Sequence, residues 1–291
     1  MHVLLTGASG QVGRFIGAAL KERGNTLTVL GRQAPNIPHD AAIDWDLARD
    51  RVDLPHADAL VHCALSHVPG KYRGGEGADP EAFVRLNVGG TRTLFEAAKA
   101  SGIPHTVFLS SRAVYRDTAK WAVLTEHAPA VPDTLYGEVK RAGETMLESL
   151  CDDRFRGTVL RATGVYGLPP GLDRHKWSQL FERFARGETI EPRVSTEVYG
   201  GDLADAVDLV LEKRPATGPA FDVFNLSDLL LDRQDLLKIY AYAAAIPLPL
   251  PSRGAGPVGV MEPGKLNALG WAPGGKAFLE AFVQSVAHLQ C

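Results

Sequence analysis

The chain has 291 residues, of which 45% are hydrophobic and 22% charged, with a formal net charge of -3. These proportions predict a packed core of one large α/β domain, or of a domain with a smaller lobe. They exclude a basic nucleic-acid surface and a polybasic membrane anchor. Cys63, Cys151 and Cys291 follow no CxxC spacing and no apolar run nears the roughly 20 residues of a membrane span, so neither a disulfide framework, a zinc site nor a spanning helix is expected.

The chain opens on an apolar strand, 2–6, that runs into Thr6-Gly7-Ala8-Ser9-Gly10-Gln11-Val12-Gly13 and then into an amphipathic helix, 12–23. The pattern TGxxGxxG between strand and helix predicts a dinucleotide site. Gly7 serves the tight turn, Gly10 the approach of backbone to a pyrophosphate, and Gly13 the close packing of helix on sheet. The helix N-terminus then offers N–H groups and the positive end of its dipole to phosphates. Nothing at the start resembles a basic leader, and a cytoplasmic protein is expected.

A second strand, 26–30, is followed by Gly31-Arg32-Gln33, with no acidic residue beside Arg32. In a dinucleotide fold this strand end meets the adenosine ribose. An arginine there pairs with the 2′-phosphate of NADP, where a carboxylate would hold the 2′-hydroxyl of NAD. NADP is therefore the expected cofactor, with NAD as the alternative and a solvated Arg32 as the plainer reading. Asp46 and Leu47 follow the next apolar stretch as adenine contacts, with Asp44 competing for that role.

The strand 58–63 ends at Cys63 and Ala64. Cys63 reads as a small core residue, because no basic neighbour in sequence would lower its thiol pKa. The glycine-rich stretch 67–77 reads as a lid over substrate or as a surface loop, and His67 is its most interesting group. A helix is expected over 80–101, a strand over 105–110, a helix over 136–150 and a strand over 157–161. Alternating strands and helices argue for a parallel sheet covered on both faces.

Tyr136 and Lys140 are four residues apart at the start of a helix, so they share one face. A tyrosine is a poor base at neutral pH, and a nearby ammonium favours its phenolate. Ser111, at a strand end, supplies a second group for a substrate oxygen. Strand C-termini are where open α/β sheets bind ligands.

Beyond 167 the pattern weakens. An amphipathic helix is expected over 173–187, a helix over 202–211 with Asp202 as its N-cap, and a strand over 221–226. Residues 246–259, rich in Pro and Gly, read as a loop reaching over a site. The division expected is a dinucleotide-binding domain, 1–167, and a substrate-binding lobe, 168–291, with segments near 202–226 returning to the first domain.

Taken together these motifs resemble the extended short-chain dehydrogenase/reductase family, of the NAD(P)-dependent epimerase/dehydratase type. The resemblance rests on 6–13, on 87–91 (NVGGT), on 108–115 (FLSSRAVY), on Tyr136 to Lys140, on 160–167 (LRATGVYG), on 202–206 (DLADA) with 224–226 (FNL), and on 265–271 (KLNALGW). It implies a Rossmann-type doubly wound parallel sheet with a smaller C-terminal substrate lobe. It also implies hydride transfer at a carbinol or carbonyl carbon of a sugar-derived or small hydroxy/keto substrate. Ser111, Tyr136 and Lys140 would be the catalytic set, Tyr136 and Lys140 also touching the cofactor. Thr6, Gly7, Ser9, Gly10, Gln11, Val12, Gly13, Arg32, Asp46, Leu47, Ala64 and Asn87 would lie at the cofactor. Asn87 reads equally as backbone support or as a helix start.

His67, Arg112, Tyr166 and Arg193 are candidate substrate contacts, with Tyr115 and Tyr166 open to either a pocket or a core position. Arg112 is suited to an anionic group, or to solvent or Asp117. The resemblance implies a homodimer through the helices 80–101 and 136–150, and an alternative activity as a nucleotide-sugar epimerase with tightly held NAD. The chain departs from the family pattern at Gly164, where asparagine is usual, and at Ser195, where a basic residue is usual, with Arg193 two positions away.

Overall fold

The computed structural model of the chain describes residues 1–68, 74–116, 122–213, 219–247, 249–256 and 258–287. Its first half runs β1 (His2–Thr6), α1 (Gln11–Glu22), β2 (Thr26–Gly31), β3 (Ala41–Asp44), β4 (Ala59–His62), α2 (Pro80–Val84), a π-helical turn (Arg85–Gly89), α3 (Gly90–Ala100), β5 (His105–Ser111), β6 (Val123–Leu124), α4 (Leu135–Leu150) and β7 (Arg156–Ala162). The second half adds β8 (Gly164–Tyr166), α5 (Ser178–Ala185), β9 (Val194–Tyr199), α6 (Gly200–Glu212), β10 (Phe221–Leu226), β11 (Leu229–Asp232), α7 (Arg233–Ala243), β12 (Val260–Met261), α8 (Gly264–Ala268) and α9 (Gly275–Ala287).

Seven strands form one parallel sheet in the order β10-β7-β5-β4-β1-β2-β3. This is the Rossmann-type doubly wound sheet. The order reverses between β1 and β4, and the crevice at their C-terminal ends is where such sheets take ligands. β1 reads as an unbroken apolar run because both of its faces are covered. Val3 and Leu5 pack on one face with Phe15, Ile16 and Leu20 of α1 and Leu203 and Val207 of α6. Leu4 packs on the other with Leu94 and Phe95 of α3 and Met146 and Leu147 of α4. Burying each such side chain contributes about 1.5–3 kcal/mol, so the two layers drive the sheet to close.

A second sheet, β11-β9-β8, pairs β8 with β9 in parallel and β9 with β11 antiparallel. A third apolar cluster lies beyond it, where Tyr166, Trp177, Phe181, Tyr240 and Phe282 pack together. Gly254 through Gly256, in the loop expected over 246–259, run past β9: a Cβ on Gly254 would lie 2.7 Å from the Arg193 carbonyl carbon.

Several elements differ from the sequence expectation. The helix expected over 80–101 is broken by the π-helical turn. Asn87 Nδ2 donates to the Phe83 carbonyl at 2.8 Å, the carbonyl that an unbroken α ladder would use, and the ladder slips by one residue. Asn87 is therefore mid-helix and not a helix start. The amphipathic pattern over 173–187 forms a helix only from Ser178 to Ala185, where Phe181 and Phe184 reach the core. Asp202 is not the cap of α6, which begins at Gly200. It lies in the first turn and its carboxylate accepts from Gly274 N at 3.0 Å, tying the chain ahead of α9 to the sheet. Part of the 67–77 stretch, 69–73, lies outside the described residues, as does Asp117.

Candidate active site

At the C-terminal end of β1 the chain turns through Gly7, whose φ is +72°. A Cβ on Gly7 would lie 2.7 Å from Ala64 N and 2.8 Å from the Cys63 carbonyl carbon, so the turn nests against the end of β4. A Cβ on Gly13 would strike the Gly7 carbonyl and come within 2.8 Å of Ala8 Cα. Gly13 thus lets α1 close on the loop itself more than on the sheet. A Cβ on Gly10 would meet only Gly7 O, at 3.3 Å, and otherwise points into open space.

α1 follows Gly10 as its N-cap residue, with no side-chain cap and no acidic residue in its first turn. Its leading N–H groups are therefore left for an anion, and the loop fits a dinucleotide pyrophosphate. Ser9 is exposed on this loop, with Gln11 and Val12 opening the helix behind it.

Thr6 is fully buried, and its hydroxyl is committed to β4. It bonds His62 Nδ1 at 2.7 Å and accepts from Cys63 N and Ala64 N at 3.2 Å. His62 completes the brace through Nε2 to Thr91, and burial lowers its pKa to about 3, keeping it neutral. Asn87 is spent on Ser66 and Phe83, accepting from Ser66 N at 2.7 Å and donating to the Ser66 carbonyl at 2.8 Å. Arg32 is exposed just past β2. Asp44 lies beside Gly31 across the sheet and pairs with Arg49 at 2.5 Å. Asp46 accepts from Ala48 N, and Leu47 is buried against Gly90.

Ser111 ends β5, and its hydroxyl accepts from Ala113 N at 3.1 Å, capping a 3-10 turn over Arg112–Val114. α4 begins beside that turn, capped by Thr134. A Cβ on Gly137 would strike the Ala113 carbonyl, so the glycine after Tyr136 is what lets α4 press against the turn. Ser111 and Tyr136 consequently line one cavity of about 790 Å³, together with Gln11 and Val12 of the glycine loop.

Lys140 is 5% exposed one turn further on, with its Nζ donating to Leu109 O at 2.8 Å and lying 4.9 Å from the Phe108 ring centre. Burial lowers its pKa to about 8, partly offset by Glu144, so it keeps its charge at neutral pH. Cys63 is pushed up to about 12 by burial, consistent with a core thiol and not a nucleophile.

Among the candidate substrate groups, Arg112 and Arg193 line the cavity. Arg112 Nε donates to the Gly259 carbonyl at 3.0 Å, joining the site to the loop above it, and Arg193 is exposed. His67 is half-buried, bonds the Val68 carbonyl at 2.8 Å, and does not line this cavity. Of the two readings open for Tyr166, the core position holds and the substrate contact does not. Tyr166 is fully buried and stacks on Trp177 with ring centres 5.2 Å apart, because as the last residue of β8 it points into the third apolar cluster. Tyr115 is likewise in the core, donating to Asn225 Oδ1 at 2.8 Å.

The cavity also holds groups that the sequence reading passed over: Lys176, Thr196 and Glu197. Their signal was Gly164. β8 and β9 pair Gly164 directly with Glu197, and the absent side chain leaves room there for a charged pair.

The model of the NAD dependent epimerase/dehydratase family matches residues 3–227. A probable dTDP-4,6-dihydroxy-2-methyloxan-3-one 4-ketoreductase of Streptomyces antibioticus is 28% identical over 212 residues, covering 71% of this chain and 66% of that one. A dTDP-4-dehydrorhamnose reductase of Streptomyces griseus is 32% identical over 165 residues, covering 56% and 50%. The chain thus spans between half and two thirds of the length of these curated relatives. A solved structure of MoeE5 in complex with UDP-glucose and NAD superposes with a TM-score of 0.81 at 21% identity, covering 100% of both chains, which shows a shared fold. With a family match over most of its length and the doubly wound sheet to carry it, this chain belongs to the NAD dependent epimerase/dehydratase family.

Proposed function

We propose that the protein is an NAD(P)-dependent oxidoreductase. It would act at a carbinol or carbonyl carbon of a sugar-derived or small hydroxy/keto substrate, with Ser111, Tyr136 and Lys140 as the catalytic set. The observation that carries this reading is the convergence of Ser111 and Tyr136 on one cavity that also reaches Gln11 and Val12 of the glycine loop. The loop from Gly7 to Gly13 would hold the nicotinamide cofactor, which would supply or take the hydride. Tyr136 exchanges a proton with the substrate oxygen. The Ser111 hydroxyl, whose oxygen already accepts from Ala113 N, donates to that same oxygen. The Lys140 ammonium, one turn along the same helix and charged at neutral pH, favours the phenolate of Tyr136.

NADP is the preferred cofactor in this reading, held at its 2′-phosphate by Arg32, while Asp44 is already engaged by Arg49. A dinucleotide-binding part over 1–167, a substrate lobe beyond it and a homodimer through the α3 and α4 faces complete the proposal. A cytoplasmic location is part of the same proposal; among the described residues Cys63 and Cys151 are free cysteines. No helix among the described residues is long and apolar enough to cross a membrane.

The test is Tyr136→Phe. Turnover falls by about a hundredfold or more while NADPH affinity, read by fluorescence titration, stays near that of the parent. Turnover within a fewfold of the parent would remove Tyr136 from the chemistry. Denaturing the purified protein and identifying the nucleotide released separates net redox from internal redox. Stoichiometric NAD that survives dialysis replaces this reading with that of an epimerase.

A further inference from the structure

Gly164 has no side chain, and its place on the cavity wall is taken by an ion pair. A Cβ there would strike Lys176 Nζ and lie 2.6 Å from Glu197 Oε2. Lys176 and Glu197 form a salt bridge across this space, with Glu197 3% exposed and the Lys176 side chain 31% exposed. Glu197 is fully engaged, because its other oxygen accepts from Ser195 Oγ at 2.9 Å. The carboxylate is thus buried and doubly bonded, while the ammonium keeps an open side. A lysine has three N–H donors, and only the one to Glu197 is spent within the wall.

The same wall faces two cavities. Lys176, Arg193, Ser195 and Glu197 line both the cavity of Ser111 and Tyr136 and a neighbouring one of about 280 Å³. Arg183 and Arg233 add two cations to the second. Arg183 is already paired with Glu188. Among the described lining residues Glu197 is the one carboxylate against these cations, and its charge is taken up by Lys176. Burial and the like charges of Arg193 and Arg183 hold Arg233 below the usual guanidinium range. A surplus of positive charge on a partly enclosed wall is stabilised by an anion.

We infer that Lys176, fixed by Glu197 in the space left at Gly164 and assisted by Arg193, is the specificity-determining group of this pocket and receives an anionic group of the substrate, carboxylate or phosphate. The inference rests on the proposed substrate pocket and names the class of compound it takes. Charge-assisted bonds to such oxygens are shorter and stronger than neutral ones. Lys176 touches no reacting atom in this scheme; it selects the substrate that Tyr136 and Ser111 then meet.

The experiment is calorimetric titration of the full-length, cofactor-loaded protein with D-glucuronate, D-glucose 6-phosphate, UDP-glucose and D-glucose. At least one anionic probe is expected to bind about ten- to a hundredfold more tightly than glucose. Lys176→Gln lowers the ratio of anion to glucose affinity to about one, and Lys176→Arg, which keeps the partner of Glu197, retains most of it. The probe that gains most identifies the source, a carboxylate, a phosphate monoester or a diphosphate.

Gly164→Asn, which drives a side chain into the place of the ammonium, reproduces the loss without touching Lys176. Equal affinities for glucose and all three anions, no binding of any anion, or a preference that survives both Lys176→Gln and Gly164→Asn overturns the inference. Binding is read without turnover. A failure of the Tyr136→Phe test with the anion preference intact therefore removes the hydride chemistry and leaves this recognition standing.

Discussion

Lys140 carries its charge at a cost to the fold. Burial lowers its pKa to about 8 from an ordinary 10.5. The folded state therefore sheds this proton at a lower pH than the unfolded chain. Below pH 8 the destabilisation is fully present, on the order of 3 kcal/mol. Between pH 8 and 10.5 the unfolded chain holds more protons, and stability rises with pH. Lys140→Met lacks this dependence. Its urea midpoint is expected to exceed that of the parent at pH 7, with the gap narrowing as the pH is raised past 8; a gap constant with pH would show that the ammonium is not the source. Arg32 is a contrasting case, exposed past the end of β2. Arg32→Glu should move the ratio of NADPH to NADH affinity toward NADH by about tenfold or more, through loss of a charge-assisted contact. An unchanged ratio in paired titrations would remove Arg32 as the reader of the 2′-phosphate.

At the scale of the element, the loop between β1 and α1 separates two uses of glycine. Gly13 is needed by the protein itself, because a methyl group there would collide with the Gly7 carbonyl. Gly10 is crowded far less, because a methyl group there would press only on the Gly7 carbonyl oxygen, at 3.3 Å. Gly10→Ala is therefore expected to melt closer to the parent than Gly13→Ala does, and, under the proposed function, to lose cofactor affinity. Gly13→Ala should lose both stability and affinity, with about 1–3 kcal/mol of overpacking. Matched melting temperatures and matched affinities for the two variants would contradict this division. The α4 element repeats the lesson. Gly137 lets its start press on the Ala113 carbonyl, and Gly143 lets its middle press on the Phe108 ring, where a Cβ would lie 2.6 Å away. Both approaches seat the face that carries Tyr136 and Lys140.

Across the whole molecule one buried polar chain joins the sheet to the site. Glu144 of α4 is fully buried, accepts from Ser110 Oγ at 2.5 Å and is held by Arg161 of β7 at 3.0 and 2.7 Å. Arg161 continues to Tyr115 at 2.7 Å, and Tyr115 to Asn225 of β10 at 2.8 Å. Asn225 Nδ2 reaches the Leu124 carbonyl in β6. The strand end that presents Ser111 is thus braced against α4, β7 and β10 together. Glu144→Gln leaves the Arg161 charge without its partner in the interior, an arrangement that costs about 3–5 kcal/mol. The expected result is a urea midpoint lowered accordingly, with turnover falling in the fraction that stays folded. A variant as stable as the parent would mean that Arg161 finds another partner.

The strands 2–6, 105–110 and 221–226 and the helices near 12–23 and 136–150 were legible because each is a long periodic or fully apolar run between strong turn residues. The doubly wound sheet follows from their alternation. That Ser111 and Tyr136 would meet at one cavity was legible because a strand end and a helix start on the ligand side of such a sheet converge there. The short strands β8, β9 and β11 were not, because their residues are selected by pairing and by the third apolar cluster more than by local preference. Tyr166 was ambiguous in sequence for the same reason, since the turn of one short strand decides whether it meets the cavity or Trp177. The Lys176–Glu197 pair belongs wholly to tertiary structure. Residues 164, 176 and 197 come together only when β8 and β9 pair side by side, and a glycine acquires meaning from what fills the space it leaves.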